Sequence, residues 1–167
     1  MLSDGSMDRA VRPKDTERAE PPRLWTAAEA NGRIADLTEL LPRLKGWVVR
    51  LGEVHEELKR LSEFWGPDVD APDHSDHDLK LRLDSEWKNL TRRLEEVVAA
   101  LRRDGIELKD LEAGLVDFYG VVDDELVFLC WQRGEPGVAF YHPVSGSSRD
   151  RRPIPEDARA PRPRGPA

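Results

Sequence analysis

Residues 105–141 read GIELKDLEAGLVDFYGVVDDELVFLCWQRGEPGVAFY and decide the fold of this chain. Apolar and polar residues alternate here in short runs, which is the period of β-strands with one buried face. Turn-prone residues separate the runs at Tyr119-Gly120, at Asp123-Asp124 and from Gly134 to Pro136. The stretch therefore predicts an antiparallel β-meander of three or four strands within residues 106–142.

Upstream of this stretch the apolar residues recur with the period of a helix. Thr26 and Glu29 have the spacing of a capping box, which predicts that a helix begins there. Apolar residues then recur in steps of three and four as far as Trp65, where Gly66-Pro67 is a stop signal. We expect Pro42 to kink this helix or to divide it, because proline has no amide proton and crowds the preceding turn.

A second helix is predicted over residues 80–103, where apolar residues recur from Leu83 to Leu101. The acidic residues 67–78 predict an exposed loop between the helices, and Gly105 predicts a left-handed cap after the second one. Two long helices joined by one loop predict a hairpin whose narrow apolar stripes need cover from a sheet or from a second copy. The expected fold class is α+β, with a long antiparallel helical hairpin packed against a small antiparallel β-meander.

Composition divides the chain into four parts. Residues 1–23 are polar and mixed in charge, which predicts a disordered N-terminal tail. Residues 24–105 form the hairpin and residues 106–142 the meander, and we expect these two parts to make one domain. Residues 143–167 are rich in proline and arginine and predict a mostly disordered tail, in which Arg151 to Ile154 is placed to fold back on the sheet.

Charge and cysteine content exclude several classes of function. The chain has 167 residues and a net charge of −7, and the negative excess in its middle disfavours nucleic acid. The single cysteine, Cys130, excludes an intrachain disulfide and a zinc site built from cysteines, which fits a reducing cytoplasm. No apolar run approaches the roughly 20 residues that span a bilayer. We expect a cytoplasmic protein without nucleic-acid or membrane partners.

Three sequence segments resemble one known family. They read LWTAAEAN at residues 24–31, GIELKDLEAGLVDF at residues 105–118 and LCWQRGEPGVAFYH at residues 129–142, followed by an arginine and Pro-Ile near the end. Together they resemble the prokaryotic family known as domain of unknown function 2203, over residues 24–155. The resemblance implies a cytosolic domain and no particular reaction.

Carboxylates around Gly114 form the first candidate site. Asp110, Glu112 and Asp117 are able to converge with two other polar residues at one end of the sheet, and such an oxygen-rich set suits a divalent cation such as Fe²⁺, Mn²⁺ or Mg²⁺. In the alternative interpretation Asp110 and Asp117 cap turns and Glu112 pairs with an arginine. The candidate metal ligands are Asp110, Glu112, Glu135 and His142.

The turn after the third predicted strand forms the second candidate site. Trp131, Arg133 and Glu135 combine an aromatic plane, a guanidinium and a carboxylate, which together can bind a small anionic or aromatic ligand. A turn closed by one salt bridge explains the same residues. The candidate ligand-binding residues are Trp131, Arg133, Glu135 and His142. Cys130 has apolar neighbours and is assigned to packing, because nothing in its setting predicts an accessible thiolate.

The sequence contains no catalytic motif whose spacing specifies one reaction, so two functions remain open. The first is an accessory or small-ligand-binding protein that self-associates through its helical hairpin. The second is a small metal-assisted enzyme with a carboxylate and histidine site at the end of the sheet.

Overall fold

The computed structural model describes residues 21–158. Residues 1–20 of the predicted N-terminal tail and residues 159–167 of the predicted C-terminal tail lie outside this range, whereas residues 143–158 of the C-terminal tail lie within it. The described helices are α1 (Ala27–Asn31), α2 (Ile34–Trp65) and α3 (His77–Arg103). The described strands are β1 (Ile106–Asp110), β2 (Leu115–Val122), β3 (Glu125–Gln132), β4 (Phe140–Pro143) and β5 (Arg152–Pro153).

The five strands form one sheet in the order β1-β2-β3-β4-β5, and each neighbouring pair is antiparallel. The α+β class and the antiparallel meander are therefore confirmed. The fifth strand lies within Arg151 to Ile154, the segment that the sequence predicts to fold back on the sheet. Next to this strand, the amide of Ile154 donates a hydrogen bond to the carbonyl of Ala139 (2.9 Å). Asp123 and Asp124 both have positive φ (51° and 62°), as the predicted turn between β2 and β3 requires.

One face of the sheet packs against the helices and forms the main apolar core. Trp25 organises this contact, because its ring meets Phe118 edge-on at 5.5 Å and its indole N–H donates to the carbonyl of Asp104 (2.7 Å). The buried apolar residues of this core are Trp25, Ala27, Ala30, Leu37, Leu41, Leu101, Ile106, Val116, Phe118, Val122, Val127, Leu129, Trp131, Val138 and Ile154.

The first helical segment breaks earlier than predicted. The capping box of Thr26 and Glu29 is present, but the short helix that it begins ends at Asn31, and α2 begins at Ile34. Pro42 lies inside α2 and does not divide it, so that alternative is wrong, whereas a kink at Pro42 stays a prediction. The break falls at Gly32, whose amide donates to carbonyls of the preceding turn and ends α1.

Two other boundaries also differ from expectation. The segment after α2 begins with a 3-10 turn at Gly66–Asp70 that buries Val69, and α3 begins at His77 rather than at residue 80. Tyr119 and Gly120 lie within β2 and make no turn. Gly120 instead allows the Trp25 backbone to approach, because a Cβ there would lie 3.0 Å from the Trp25 carbonyl oxygen.

The long helices α2 and α3 contact one another through charged and aromatic side chains. Arg50 on α2 pairs with Glu86 on α3, with Nε 2.7 Å from a carboxylate oxygen. The ring of His55 lies 5.6 Å from that of Trp87. Both helices also bury apolar residues that lie outside the main core, namely Leu44 and Val54 on α2 and Leu83 and Leu90 on α3.

Gly105 provides a test of how α3 joins β1. Its φ is +71°, and a Cβ there would overlap the carbonyl oxygen of Arg23. We expect Gly105→Ala to lower the free energy of unfolding by at least about 2 kcal/mol, because a left-handed backbone and a steric clash are both penalised. Gly46→Ala is the matched control, since Gly46 lies within α2 with open space around it, and there alanine should raise the stability by up to about 1 kcal/mol. Urea denaturation of both variants measures the difference, and equal midpoints would contradict this account of the junction.

Candidate functional site

The face of the sheet opposite the helical core carries a buried polar cluster. Asp117 on β2 lies opposite Cys130 on β3, and Cys130 lies opposite Phe140 on β4. His142 is two residues beyond Phe140 and so points to the same face. Asp117, Cys130 and His142 are 1%, 0% and 2% exposed. We refer to these three residues as the Asp-Cys-His cluster.

His142 makes hydrogen bonds through both ring nitrogens. Nδ1 lies 2.9 Å from the carbonyl oxygen of Pro143, and Nε2 lies 3.0 Å from Oδ2 of Asp117. A carbonyl oxygen only accepts, so Nδ1 carries a proton and donates it. One further proton must lie between Nε2 and Oδ2, whichever atom holds it. The pair is therefore neutral overall, which a buried site requires.

Cys130 contributes a protonated thiol beside this pair. Burial raises the pKa of the Cys130 thiol from its ordinary 9.0 to about 12, and the negative charge of Asp117 adds to the shift. A thiol with this pKa is not a nucleophile at neutral pH. This agrees with the assignment of Cys130 to a buried position, although its neighbours are polar as well as apolar.

An ion pair from the end of the sheet lies next to the cluster. Arg151, just before β5, places its guanidinium 4.7 Å from the centre of the Phe140 ring and pairs with Glu135 at 2.8 Å. The hydrogen bond to Glu135 is the main cause that raises the pKa of Arg151, and the nearby Cys130 and Asp117 also raise it. Glu135 Oε2 also accepts a hydrogen bond from the amide of Gln132 (2.8 Å).

Two buried atoms near the cluster have no hydrogen-bond partner among residues 21–158. They are Oδ1 of Asp117 and Nε of Arg151. An unpaired buried polar atom costs free energy, so native proteins usually satisfy it with water or with an ion.

The cluster has the composition and spacing of a metal-binding site. One carboxylate oxygen, one thiol sulfur and one imidazole nitrogen all lie within 4.8 Å of one another, the one such three-residue set found within residues 21–158. Tetrahedral zinc spaces its ligands by about 3.3 to 3.8 Å. Nε2 of His142 and Oδ2 of Asp117 are 3.0 Å apart, which is close to this spacing. The bond from His142 to the Pro143 carbonyl orients the ring as second-shell partners do in known metal sites.

The metal ligands predicted from sequence have separate partners in the structure. Asp110 Oδ1 accepts from the amide of Ala113 (2.9 Å) and caps a turn, as the alternative interpretation expected. Glu112 pairs with Lys45 (2.6 Å) rather than with an arginine. Asp117 caps no turn and instead bonds His142. Of the predicted set, His142 alone belongs to the Asp-Cys-His cluster, and Glu135 lies near it through Arg151.

The predicted ligand-binding residues lie on different faces of the sheet. Trp131 is 1% exposed within the helix-facing core, and its indole N–H donates to the carbonyl of Glu135 (3.1 Å). Arg133 is exposed beyond the end of β3. His142 lies on the opposite face. A small-ligand site built from these residues stays a prediction.

Sequence reasoning missed that Asp117 and Cys130 act together, and it missed Arg151. A signal was present, because Asp117 and Cys130 each interrupt an apolar run in the middle of a strand. A polar residue in such a run needs a buried partner. Asp117 and Cys130 are brought together by the register in which β2 pairs with β3, and the sequence pattern does not specify that register.

These features define an α+β protein whose antiparallel sheet carries a buried carboxylate, thiol and imidazole cluster on the face away from its helices. Residues 23–154 match the family described as "Uncharacterized conserved protein (DUF2203)", so the chain belongs to that family, as the resemblance predicted. A search of curated proteins and a search of solved structures each returned no match. Within residues 21–158, every helix is too short or too polar to cross a membrane.

The raised pKa of Cys130 predicts how the stability of the protein depends on pH. A thiol whose pKa is higher in the folded state than in the unfolded one stabilises the fold below pH 9.0 and loses that contribution as the pH rises toward 12. Relative to Cys130→Ala, the wild type should lose about 1.4 kcal/mol of unfolding free energy per pH unit in this window. Denaturation series at pH 8, 9, 10 and 11 measure the difference, and parallel curves for the two proteins would refute it.

Proposed function

We propose that this protein binds one divalent transition metal ion through Asp117, Cys130 and His142. The convergence of their three ligand atoms within 4.8 Å carries the proposal. Like the enzyme alternative that the sequence left open, this proposal includes a metal ion and His142. The other ligands differ, because the buried residues Asp117 and Cys130 replace the carboxylates that the sequence predicted. A thiolate beside an imidazole and a carboxylate favours Zn²⁺ over Mg²⁺ or Ca²⁺, which prefer oxygen ligands alone.

Charge balance supports a metal at this position. The metal-free cluster holds two exchangeable protons, one between His142 and Asp117 and one on the Cys130 thiol. A divalent cation that replaces both protons leaves the total charge of the cluster unchanged. Burial penalises net charge most strongly, so this exchange avoids the main cost of placing an ion inside a protein.

Metal stoichiometry and proton release test this proposal. Protein stripped of metal and equilibrated with Co²⁺ should bind one equivalent and show a thiolate-to-cobalt charge-transfer band. At pH 8 in weak buffer, binding should release about two protons per ion, because both exchangeable protons are displaced. Cys130→Ser should abolish the band, and His142→Ala should lower the metal affinity by at least about 100-fold.

Matched variants separate the buried ligand set from the set predicted by sequence. Asp110→Asn and Glu112→Gln remove two of the earlier candidates, and both should bind Co²⁺ like the wild type. His55→Ala is the histidine control, because His55 is exposed on α2. Loss of binding in Asp110→Asn or Glu112→Gln, with unchanged binding in Cys130→Ser, would exclude the Asp-Cys-His cluster as the site.

We propose in addition that α2 and α3 form the expected antiparallel helical hairpin and that two copies associate through it. Large apolar side chains remain exposed on these helices, and Phe64 is 77% exposed. The others are Val48, Val49, Trp65, Leu79, Leu81 and Trp87. Arg60 and Glu63 flank Phe64 on α2, so two copies related by a twofold axis would meet with opposite charges around their apolar centres. An accessory protein that self-associates is consistent with this surface.

Light scattering tests the association. The wild type should have the molar mass of two chains, and Phe64→Glu should shift it toward one chain, because the substitution buries an unpaired charge at the interface. Leu126→Glu is the control, since Leu126 is 48% exposed but lies on the sheet. A wild-type monomer, or equal effects of the two variants, would contradict association through the helices.

A further inference from the structure

Both ends of the described chain border one cavity of about 390 Å³. Leu24, Trp25 and Thr26 line this cavity near the N-terminal end of the described range, and Asp157 and Ala158 line it at the C-terminal end. The sheet supplies the other lining residues, which are Val121, Asp123 and Leu129. The chain therefore leaves the described range at the wall of the cavity itself.

Two aliphatic side chains that line the cavity are open to solvent. Leu24 is 50% exposed and Val121 is 39% exposed. Trp25 and Leu129 line the same cavity and belong to the main apolar core, so the exposed groups border that core. Aliphatic surface of this kind is stabilised when another apolar group covers it.

The cavity also carries two carboxylates. Asp123 and Asp157 are exposed, and neither forms an ion pair with a basic side chain among residues 21–158. The cavity thus combines apolar walls with local negative charge. A segment that is both cationic and apolar has the complementary chemistry.

The segment that continues from Ala158 has this chemistry. Residues 159–164 read RAPRPR, with three arginines, two prolines and no acidic residue. On the other side of the cavity, residues 14–20 read KDTERAE and carry three acidic residues against two basic ones. Charge complementarity therefore favours the C-terminal segment over the N-terminal one.

Chain length allows this segment to cover the cavity. Pro161 and Pro163 favour the polyproline II conformation, which rises about 3.1 Å per residue and has three residues per turn. Arg162 follows Ala158 by four residues and can lie up to about 12 Å from it, within reach of a cavity that Ala158 lines. In this conformation Arg159 and Arg162 share one side of the segment, whereas Arg164 faces another.

We propose that residues 159–164 cover this cavity in the same chain, with Arg162 paired with Asp123 and the two prolines packed on Leu24 and Val121. Each contact alone is weak, because water and salt screen exposed ion pairs. The covalent link at Ala158 compensates, since a short tether gives the segment an effective concentration in the millimolar range. A partner of the same chemistry has to displace this segment before it can bind. Neither the proposed metal site nor the helical association is involved.

Backbone amide relaxation of the ¹⁵N-labelled full chain tests the contact. In the wild type at low ionic strength, the order parameter S² of the Arg162 amide should exceed about 0.6, the upper limit for a flexible segment. Asp123→Asn should lower S² below this limit, because it removes the charge that holds the arginine. Asparagine tolerates the positive φ of 51° at this position, so the turn is retained. Arg162→Gln should shift the amide resonances of Val121 and Thr26, which line the cavity.

Matched variants separate the pairing from a general effect of charge. Glu125→Gln is the control on the fold, since Glu125 is exposed and close to the same turn but does not line the cavity. Arg164→Gln is the control within the segment. Both should leave S² at Arg162 unchanged. Addition of about 0.5 M NaCl to the wild type should lower S², because salt screens an exposed ion pair.

Three results would overturn the proposal. The first is an S² at Arg162 below about 0.6 in the wild type, which would mean that the segment does not dock. The second is an equal effect of Asp123→Asn and Glu125→Gln, or an S² that salt leaves unchanged, because either would exclude the Asp123 pair. The third is a shift of the Val121 and Thr26 resonances on deletion of residues 1–20 but not of residues 159–167, which would assign the cavity to the N-terminal segment.

Dilution of the protein distinguishes docking within one chain from docking between copies. A segment tethered to its own cavity keeps the same S² at every protein concentration. An S² at Arg162 that falls on dilution would show that the segment binds a second copy, and the proposed contact within the chain would be wrong.

Discussion

The hydrogen bond between Asp117 and His142 is the interaction on which the outer face of the sheet depends. It joins β2 to β4 across β3, and both partners are almost completely buried. Removal of one partner of a buried ion pair typically costs about 3 to 5 kcal/mol, because the other is left without compensation. The bond to the Pro143 carbonyl then determines which nitrogen of the ring faces the carboxylate. Cys130 and Arg151 lie near this pair, and the charge of Asp117 contributes to the raised pKa of both.

Alternation along the strands lets one small sheet perform two tasks. Val116 and Phe118 face the helices, whereas Asp117 between them faces the other way. The apolar face supplies the burial that stabilises the fold. The polar face can therefore hold titratable groups without weakening that core, since the two sets of side chains never compete for the same space. Gly120 serves the first task, because it admits the Trp25 backbone against the edge of the core.

The proposed exchange of two protons for one divalent ion would distinguish this site from a zinc finger. In a zinc finger the ligands have no fold without the metal, so binding and folding are one process. In this protein the three proposed ligands lie on paired strands, and a separate apolar core stabilises the sheet.

The sequence by itself determined what depends on neighbours along the chain. The alternating period, the Asp123-Asp124 turn, the Gly105 cap and the return of the chain after Arg151 are local, because φ, pleat and turn geometry act over a few residues. The strand that continues through Gly120 was decided by tertiary structure, because Gly120 pairs there with Trp25. The cluster is the clearest case of the difference. Asp117 and His142 are 25 residues apart and meet only through the register of three strands, which no short-range pattern encodes.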